Sequence, residues 1–396
     1  MVITTPDSRL TKPHIMLFDL LVGGHHGQYI RQLVEYWGTS RLPGQLTVAA
    51  PEAFFGQHKD VVAATARSGA ACMQITGPID MNGPLAMMRA HGHHLKQCVH
   101  TVRPTHVMCM YFDQVQLSLA LGLRFSRPIA LSGIYFRPTF HYKSLGTLQD
   151  RVARARKRLM LRAALSNPYL KTLFCLDPYV IPHVGQKLAQ LVPLPDGVPA
   201  TSSPVPLQWD IESGRRLALF FGSIAERKGI FQLLDALPML SDAHQKQLAL
   251  LIVGKVQAKV AARLRRGVAH CRSTTQVHIH YEDRFVDEDE IPSFFERADL
   301  ALLPYQRHVG SSGVLVRAAQ AGIPVLGSNY GLLRRHIETH RLGLAIDTTR
   351  PDALAAGLTR WLGAPSLPFD SDAASAFGAA NTAADFSRTI FDTLLT

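Results

Sequence analysis

The segment that decides the fold is Leu302-Leu-Pro-Tyr-Gln-Arg-His-Val-Gly-Ser-Ser-Gly-Val-Leu-Val-Arg-Ala-Ala-Gln-Ala-Gly-Ile-Pro-Val-Leu-Gly-Ser328. It continues an apolar run, Leu300–Pro304, that reads as a strand. Gly310-Ser-Ser-Gly313 then opens a helix that stops at Gly322, and Pro324–Ser328 reads as the next strand. Strand, helix and strand in this order form a crossover between parallel neighbours. The amides of residues 310–314 stand at a helix start, where no intrahelical acceptor exists. With the hydroxyls of Ser311 and Ser312 they make a cradle for an anion.

The same rhythm extends in both directions. Before the middle of the chain, short apolar runs fall at His14–Leu20, Leu46–Ala50, Ala71–Thr76, His106–Tyr111, Pro128–Gly133, Thr172–Leu176 and Leu191–Leu194. After it they fall at Leu217–Gly222, Leu248–Val253, Val277–Tyr281, Leu300–Pro304, Pro324–Ser328 and Leu344–Asp347. Continuous apolar runs bounded by Gly, Pro or Asp suit strands buried on both faces. Two sets of βα alternation predict an α/β protein of two doubly wound Rossmann-like domains facing across a cleft. Pro193–Gly214 is rich in Pro, Ser and Gly, and no helix runs through it. Residues 1–197 are therefore expected to form one domain, 198–214 a linker and 215–370 a second domain. The alanine-rich tail 371–396 carries Phe377, Phe386, Ile390, Phe391 and Leu394 at loosely helical spacing. It is expected to be one final helix, placed to pack across the domain junction.

A length of 396 residues fits two domains, at roughly 100–200 residues each. With 47% hydrophobic and 18% charged residues, a wholly disordered chain is excluded. Lys and Arg number 42 against 30 Asp and Glu, a net charge of +12 that favours anionic partners. The cations are not interleaved with stacking aromatics, so nucleic acid is not expected among them. Five scattered cysteines without a CxxC pair suit a reducing cytoplasm. No secretory h-region is visible in the first residues, and the longest apolar runs fall far short of the ~20 residues needed to span a bilayer.

Ligands of open parallel sheets bind beyond the carboxyl ends of the strands. After the first strand comes a turn with Gly23, Gly24 and Gly27, which permit close backbone approach, and with His25 and His26. The two histidines are candidate bases if a hydroxyl must be deprotonated, or else solvated turn residues. After the eighth strand, Gly222 and Ser223 lead to Arg227 and Lys228, just before a helix; two cations there suit a diphosphate. After the fifth strand, Arg137 is either a ligand for phosphate or acceptor or a surface arginine.

The Ala-Gly-x-Pro-Val order of Ala321–Val325 resembles the donor-binding segment of GT-B glycosyltransferases, in the family-four-like group, glycosyl transferases group 1. Gly222–Gly229 is similar to that group's Gly-Arg-Leu-x-x-x-Lys-Gly turn. Leu194-Pro-Asp-Gly-Val198 resembles its Ile-Pro-Asn-Gly-Val segment. Arg284–Ile291 with Ala298–Pro304 resembles its base-pocket loop and following strand. The match covers residues 194–347 and is thin before them. The resemblance implies sugar transfer from a nucleotide-diphosphate sugar to a saccharide or lipid-linked acceptor, with retention, no metal and no cofactor. It places the diphosphate at Gly222, Ser223, Arg227, Lys228, Gly310, Ser311, Ser312, Gly313 and Val314, and the nucleoside at Arg284 and Phe285. Arg137 falls where the group has a cleft residue.

Two departures bear on activity. The group's Glu-x7-Glu positions fall on Val309 and Arg317, so that Arg317 stands where a carboxylate would meet ribose. Its usual turn arginine falls on Ser223, while Lys228 is kept. The alternatives are a catalytically inactive homologue that binds nucleotide or glycan or acts as a scaffold, and a nucleotide-sugar epimerase. Asp287-Glu-Asp-Glu290 reads as an acidic first helical turn rather than a metal site. His91, His93, His94, Cys98 and His100 have ligand-like spacing but read as a polar helix face. Arg151–Arg162, RVARARKRLMLR, reads as a basic helix that is either solvated or laid on an anionic membrane.

Overall fold

Each of the thirteen apolar runs becomes a strand in the computed structural model, which describes residues 12–23, 26–80, 82–142, 147–184, 190–199, 209, 211–363 and 367–396. The first seven are β1 (His14–Phe18), β2 (Gln45–Pro51), β3 (Ala71–Ile75), β4 (His106–Cys109), β5 (Ala130–Tyr135), β6 (Leu170–Cys175) and β7 (Gln190–Pro193). They form one sheet in the order β3-β2-β1-β4-β5-β6-β7. The next six are β8 (Arg216–Phe221), β9 (Leu248–Val253), β10 (His278–Glu282), β11 (Leu300–Leu303), β12 (Val325–Ser328) and β13 (Gly343–Ile346). They form a second sheet, β10-β9-β8-β11-β12-β13. All pairings within the two sheets are parallel.

Parallel strands covered by helices on both faces need apolar residues at every position. β9, Leu-Ala-Leu-Leu-Ile-Val, is buried throughout. In β1, Met16 and Phe18 enter the core on one face of the sheet, while Ile15 and Leu17 enter the core on the other. β8 divides likewise, Ala218 and Phe220 against Leu217, Leu219 and Phe221.

The described residues up to Leu194, with Phe386–Thr396, make one compact unit, and Pro195–Asp385 make the other. Within the stretch 198–214, residues 200–208 and 210 lie outside the described residues. Val198 is buried in the core of the second unit, where Trp209 packs 5.0 Å from Phe294. The tail is two helices rather than one, Ser371–Ala379 and Ala383–Leu395. Asn381 and Thr382 make the break. The Asn381 side chain accepts from the Asp196 amide, and the Thr382 hydroxyl accepts from the Asp385 amide, starting a new helix. Ala374 and Phe377 of the first helix belong to the core of the second unit. Phe386, Ile390, Phe391 and Leu394 of the last belong to the core of the first, with Phe386 stacked on Tyr29 at 4.9 Å.

Among the described residues no helix is long and apolar enough to cross a membrane. All five cysteines are free thiols, four of them buried.

Candidate functional site

In the second sheet the strand order reverses between β8 and β11, and a doubly wound sheet binds its ligand at such a switch point. The loops leaving these two strands are the ones that carry the candidate anion ligands. Gly222 ends β8 at φ +104, and the turn closes at Gly229 at φ +78. A Cβ on Gly229 would lie 1.8 Å from the Pro304 carbonyl oxygen, so the turn rests against the end of β11. The Gln306 amide donates to Arg227 O at 2.8 Å. The Gln306 side chain donates to Pro304 O and Thr348 O, both at 2.8 Å. Gly229→Ala is therefore expected to cost more than the ~1–2 kcal/mol of a left-handed backbone alone. A lowered unfolding midpoint measures it.

Tyr305 joins the two halves of this site. The Lys228 Nζ lies 3.7 Å from the centroid of the Tyr305 ring. The Tyr305 hydroxyl is 3.1 Å from Ser312 Oγ. Lys228 and Ser312 therefore meet the same side chain. The loop Gly310–Gly313 is open to solvent in part: Gly313 is exposed, Gly310, Ser311 and Val314 are half-buried, and only Ser312 is buried. Because Ser312 Oγ turns to Tyr305, its side chain makes no cap bond to the helix Gly313–Gln320. The first amides of that helix are thus not satisfied by their N-cap side chain, which leaves them free to meet an anion. His308 Nε2 is 3.2 Å from Ser311 O, and its ring packs edge-on to Tyr305. Gly222 stands beside the same loop, with Val314 4.0 Å from a Cβ placed there.

The first sheet reverses between β1 and β4, and a second constellation sits there. Asp19, one residue past β1, is 2% exposed. Its Oδ2 is 2.5 Å from Nδ1 of His26, the first residue of the helix His26–Thr39, and its Oδ1 accepts from the Leu21 amide. The edge of the Tyr111 ring, just past β4, packs against the His26 imidazole at 5.4 Å. A buried carboxylate on Nδ1 fixes the imidazole's orientation and leaves Nε2 for chemistry. Gly24 and His25 lie outside the described residues. Gly23 is exposed. Gly27 serves packing rather than ligand approach. It is buried, and a Cβ there would lie 2.2 Å from the His58 ring, which reaches across to Val22 O.

Arg137 follows β5 and is exposed. Beside it, burial pushes the Asp113 carboxyl up to about 6, against the opposing effect of the Phe136 amide it accepts and the charge of Arg137. Burial, with the same Asp113, also raises Tyr111. An acid whose pKa is higher folded than unfolded holds its proton longer in the folded state, so its contribution to stability falls as pH rises from about 4 to about 6. Asp113 is only half-buried by surface, so the effect is at most roughly 3 kcal/mol. Asp113→Asn is expected to flatten this slope and to be better tolerated at pH 7 than at pH 4, by chemical denaturation across that range.

Residues 206–375 match the family model for glycosyl transferases group 1. The β8 turn, Tyr305 and the 310–314 loop all lie inside the matched segment. The whole chain shares its fold with solved structures of low sequence identity. Sucrose-phosphate synthase from Thermosynechococcus elongatus superposes with a TM-score of 0.69 at 16% identity, over 96% of this chain and 98% of that one. Anabaena HepE in complex with UDP gives 0.65 at 14% identity, over 97% and 99%. A putative UDP-N-acetylglucosamine 2-epimerase from Listeria monocytogenes gives 0.55 at 11% identity, over 96% and 94%. No curated protein sequence matches the chain.

Within the matched segment, Arg284, expected at the nucleoside, is engaged by carboxylates, whereas Phe285 is exposed. Arg284 is held by Glu282 at 2.8 Å and by both oxygens of Glu290, at 2.8 and 2.9 Å. Those carboxylates raise its pKa still further. It braces its loop rather than offering a free cation. Phe285 next to it is 76% exposed. Arg317 lies within the helix Gly313–Gln320, half-buried, and burial lowers its pKa while Glu288 opposes that shift. Asp287–Glu290 lead into the helix Ile291–Glu296, with Glu290 accepting from the Asp287 amide.

In the helix Pro84–Val102 the expected polar face is half a core face. His91, His94 and Cys98 are buried, with His91 Nδ1 on Met87 O and His94 Nε2 on Pro78 O, while His93 and His100 are exposed. Among the described residues no group of three or more His, Cys, Asp or Glu side chains is placed to hold a metal.

Proposed function

We propose that this protein is a glycosyltransferase that moves a sugar from a nucleoside-diphosphate sugar to a saccharide or a lipid-linked saccharide. The observation that carries the reading is the chain of contacts from Lys228 through Tyr305 to Ser312. It gathers a cation, an uncapped helix start and two serine hydroxyls beside one switch point. When the glycosidic bond breaks, negative charge grows on the leaving diphosphate, and donors fixed there lower the barrier. Lys228, Arg227 and the amides of 310–314 supply such donors from the chain itself, which supports a metal-independent reaction. The second unit is the donor side in this reading and the first unit the acceptor side.

The family resemblance implies retention of configuration, in which the leaving phosphate takes the acceptor proton. The Asp19–His26 contact favours a second reading, inversion, because it sets up a general base at the first switch point. The anomer formed from an α-linked donor, read by proton NMR, decides between them.

Since HepE, of like fold, was solved with UDP, uridine nucleotides come first in a panel. Specific binding raises the unfolding midpoint. UDP released only when donor and acceptor are both present supports a transferase. A protein that binds nucleotide without releasing product is an inactive homologue. Interconversion of two sugar nucleotides with no acceptor makes it an epimerase, and either result overturns the proposal.

A further inference from the structure

The helix Leu148–Leu165 has two apolar faces. Leu161, Ala164 and Leu165 are buried in the core of the first unit. Leu148, Val152 and Leu159 are 74%, 59% and 70% exposed, and Ala155 and Ala163 are exposed beside them. At 3.6 residues per turn these five side chains fall within roughly 80° of one another, opposite the buried three. They form an apolar ridge on the outer surface, about 22 Å long at 1.5 Å per residue. Arg151, Arg158 and Arg162 run along one flank of the ridge and Arg156 along the other. All four are exposed, and among the described residues none of them is held in an ion pair. Lys157 is not part of this face, since its ammonium turns to the Thr139 hydroxyl at 2.7 Å. The helix is anchored at its start by Thr147, whose hydroxyl accepts from the Asp150 amide.

An ordinary surface helix of a doubly wound sheet has a polar outer face. This one is a leucine ridge between unpaired arginines. We infer that it is a docking surface for an anionic lipid bilayer, with Leu148, Val152 and Leu159 entering the headgroup–acyl boundary and the arginines meeting lipid phosphates. The charge decides the sign of the partner: four free guanidiniums need anions on both flanks. The ridge decides its kind. A nucleic-acid backbone supplies phosphates but no apolar phase for three exposed large side chains, whereas a lipid interface supplies both. The inference is independent of the sugar chemistry, because binding to lipid is measured without turnover.

The test is co-sedimentation of the full chain with phosphatidylcholine vesicles that contain either no phosphatidylglycerol or about 30% of it. The wild type is expected to bind the anionic vesicles and to release in high salt, but to leave neutral vesicles unbound. Leu148→Ser/Val152→Ser/Leu159→Ser is expected to lose roughly tenfold or more in partitioning, from the apolar area removed. Arg151→Gln/Arg158→Gln/Arg162→Gln is expected to lose roughly a hundredfold. All six positions are exposed, so an unchanged unfolding midpoint shows that neither variant acts through the fold. Absence of wild-type binding to anionic vesicles overturns the inference, as does binding that survives the serine substitutions. Dimerisation that disappears in the serine variant, without lipid binding, assigns the ridge to a second copy of the chain instead.

Discussion

Lys228→Ala is expected to lower kcat/KM by about 10²–10³ and to erase the thermal stabilisation given by a nucleoside diphosphate. The ammonium sits over the Tyr305 ring, 3.7 Å from its centroid. Among the described residues no carboxylate pairs with it, which leaves its charge for a bound anion. The ring positions that charge without neutralising it. An interaction that strengthens as the leaving group gains charge acts mainly on kcat, so the loss should fall on kcat more than on KM. Tyr305→Phe separates the two roles of the tyrosine. It keeps the ring beneath Lys228 but removes the contact to Ser312 Oγ, so it should cost much less than Lys228→Ala. Unchanged binding of a diphosphate panel by Lys228→Ala would remove the β8 turn from the site altogether.

Both sheets could be read from the chain because buried parallel strands are written as uninterrupted apolar runs, most of them closed by Gly, Pro or Asp. The strand-to-helix turn at 310–313 is legible for a similar reason: glycines flanking serines favour a turn that opens a helix. Tyr305 was not readable, although it stands directly after a strand, because an aromatic in that place is ordinarily core. It is indeed buried, and only the approach of Lys228 and Ser312 gives it another role. Asp19 reads as an extension of an apolar run, yet its place past the carboxyl end of β1 is the signal that finds it. At Arg284 the structure adds what the spacing does not give. Its neighbours Glu282 and Glu290 are close in sequence, but pairing depends on a loop conformation that spacing alone does not give. The break in the tail depends on Asn381 reaching the distant Asp196 amide, which no local pattern encodes.

His26→Ala tests the first switch point, and Asp19→Asn tests it through the same imidazole. If His26 is the base that takes the acceptor proton, its loss removes about 10²–10⁴ in rate, and the pH–rate profile of the variant loses its acidic limb. Asp19→Asn keeps a side chain of the same size beside Nδ1 but replaces a carboxylate that fixes the tautomer with an amide that does not. Its loss should approach that of His26→Ala. The double variant should be no worse than the poorer single one, because two groups acting as one unit are not additive. If retention holds, the leaving phosphate takes the proton, and His26 contributes at most a hydrogen bond to a substrate hydroxyl. The cost then shrinks to about 1–2 kcal/mol, the acidic limb survives, and Asp19→Asn matters only through the set of the β1 loop. Product anomer and pH profile must therefore change together: inversion with a limb that His26→Ala abolishes, or retention with a limb that it leaves in place.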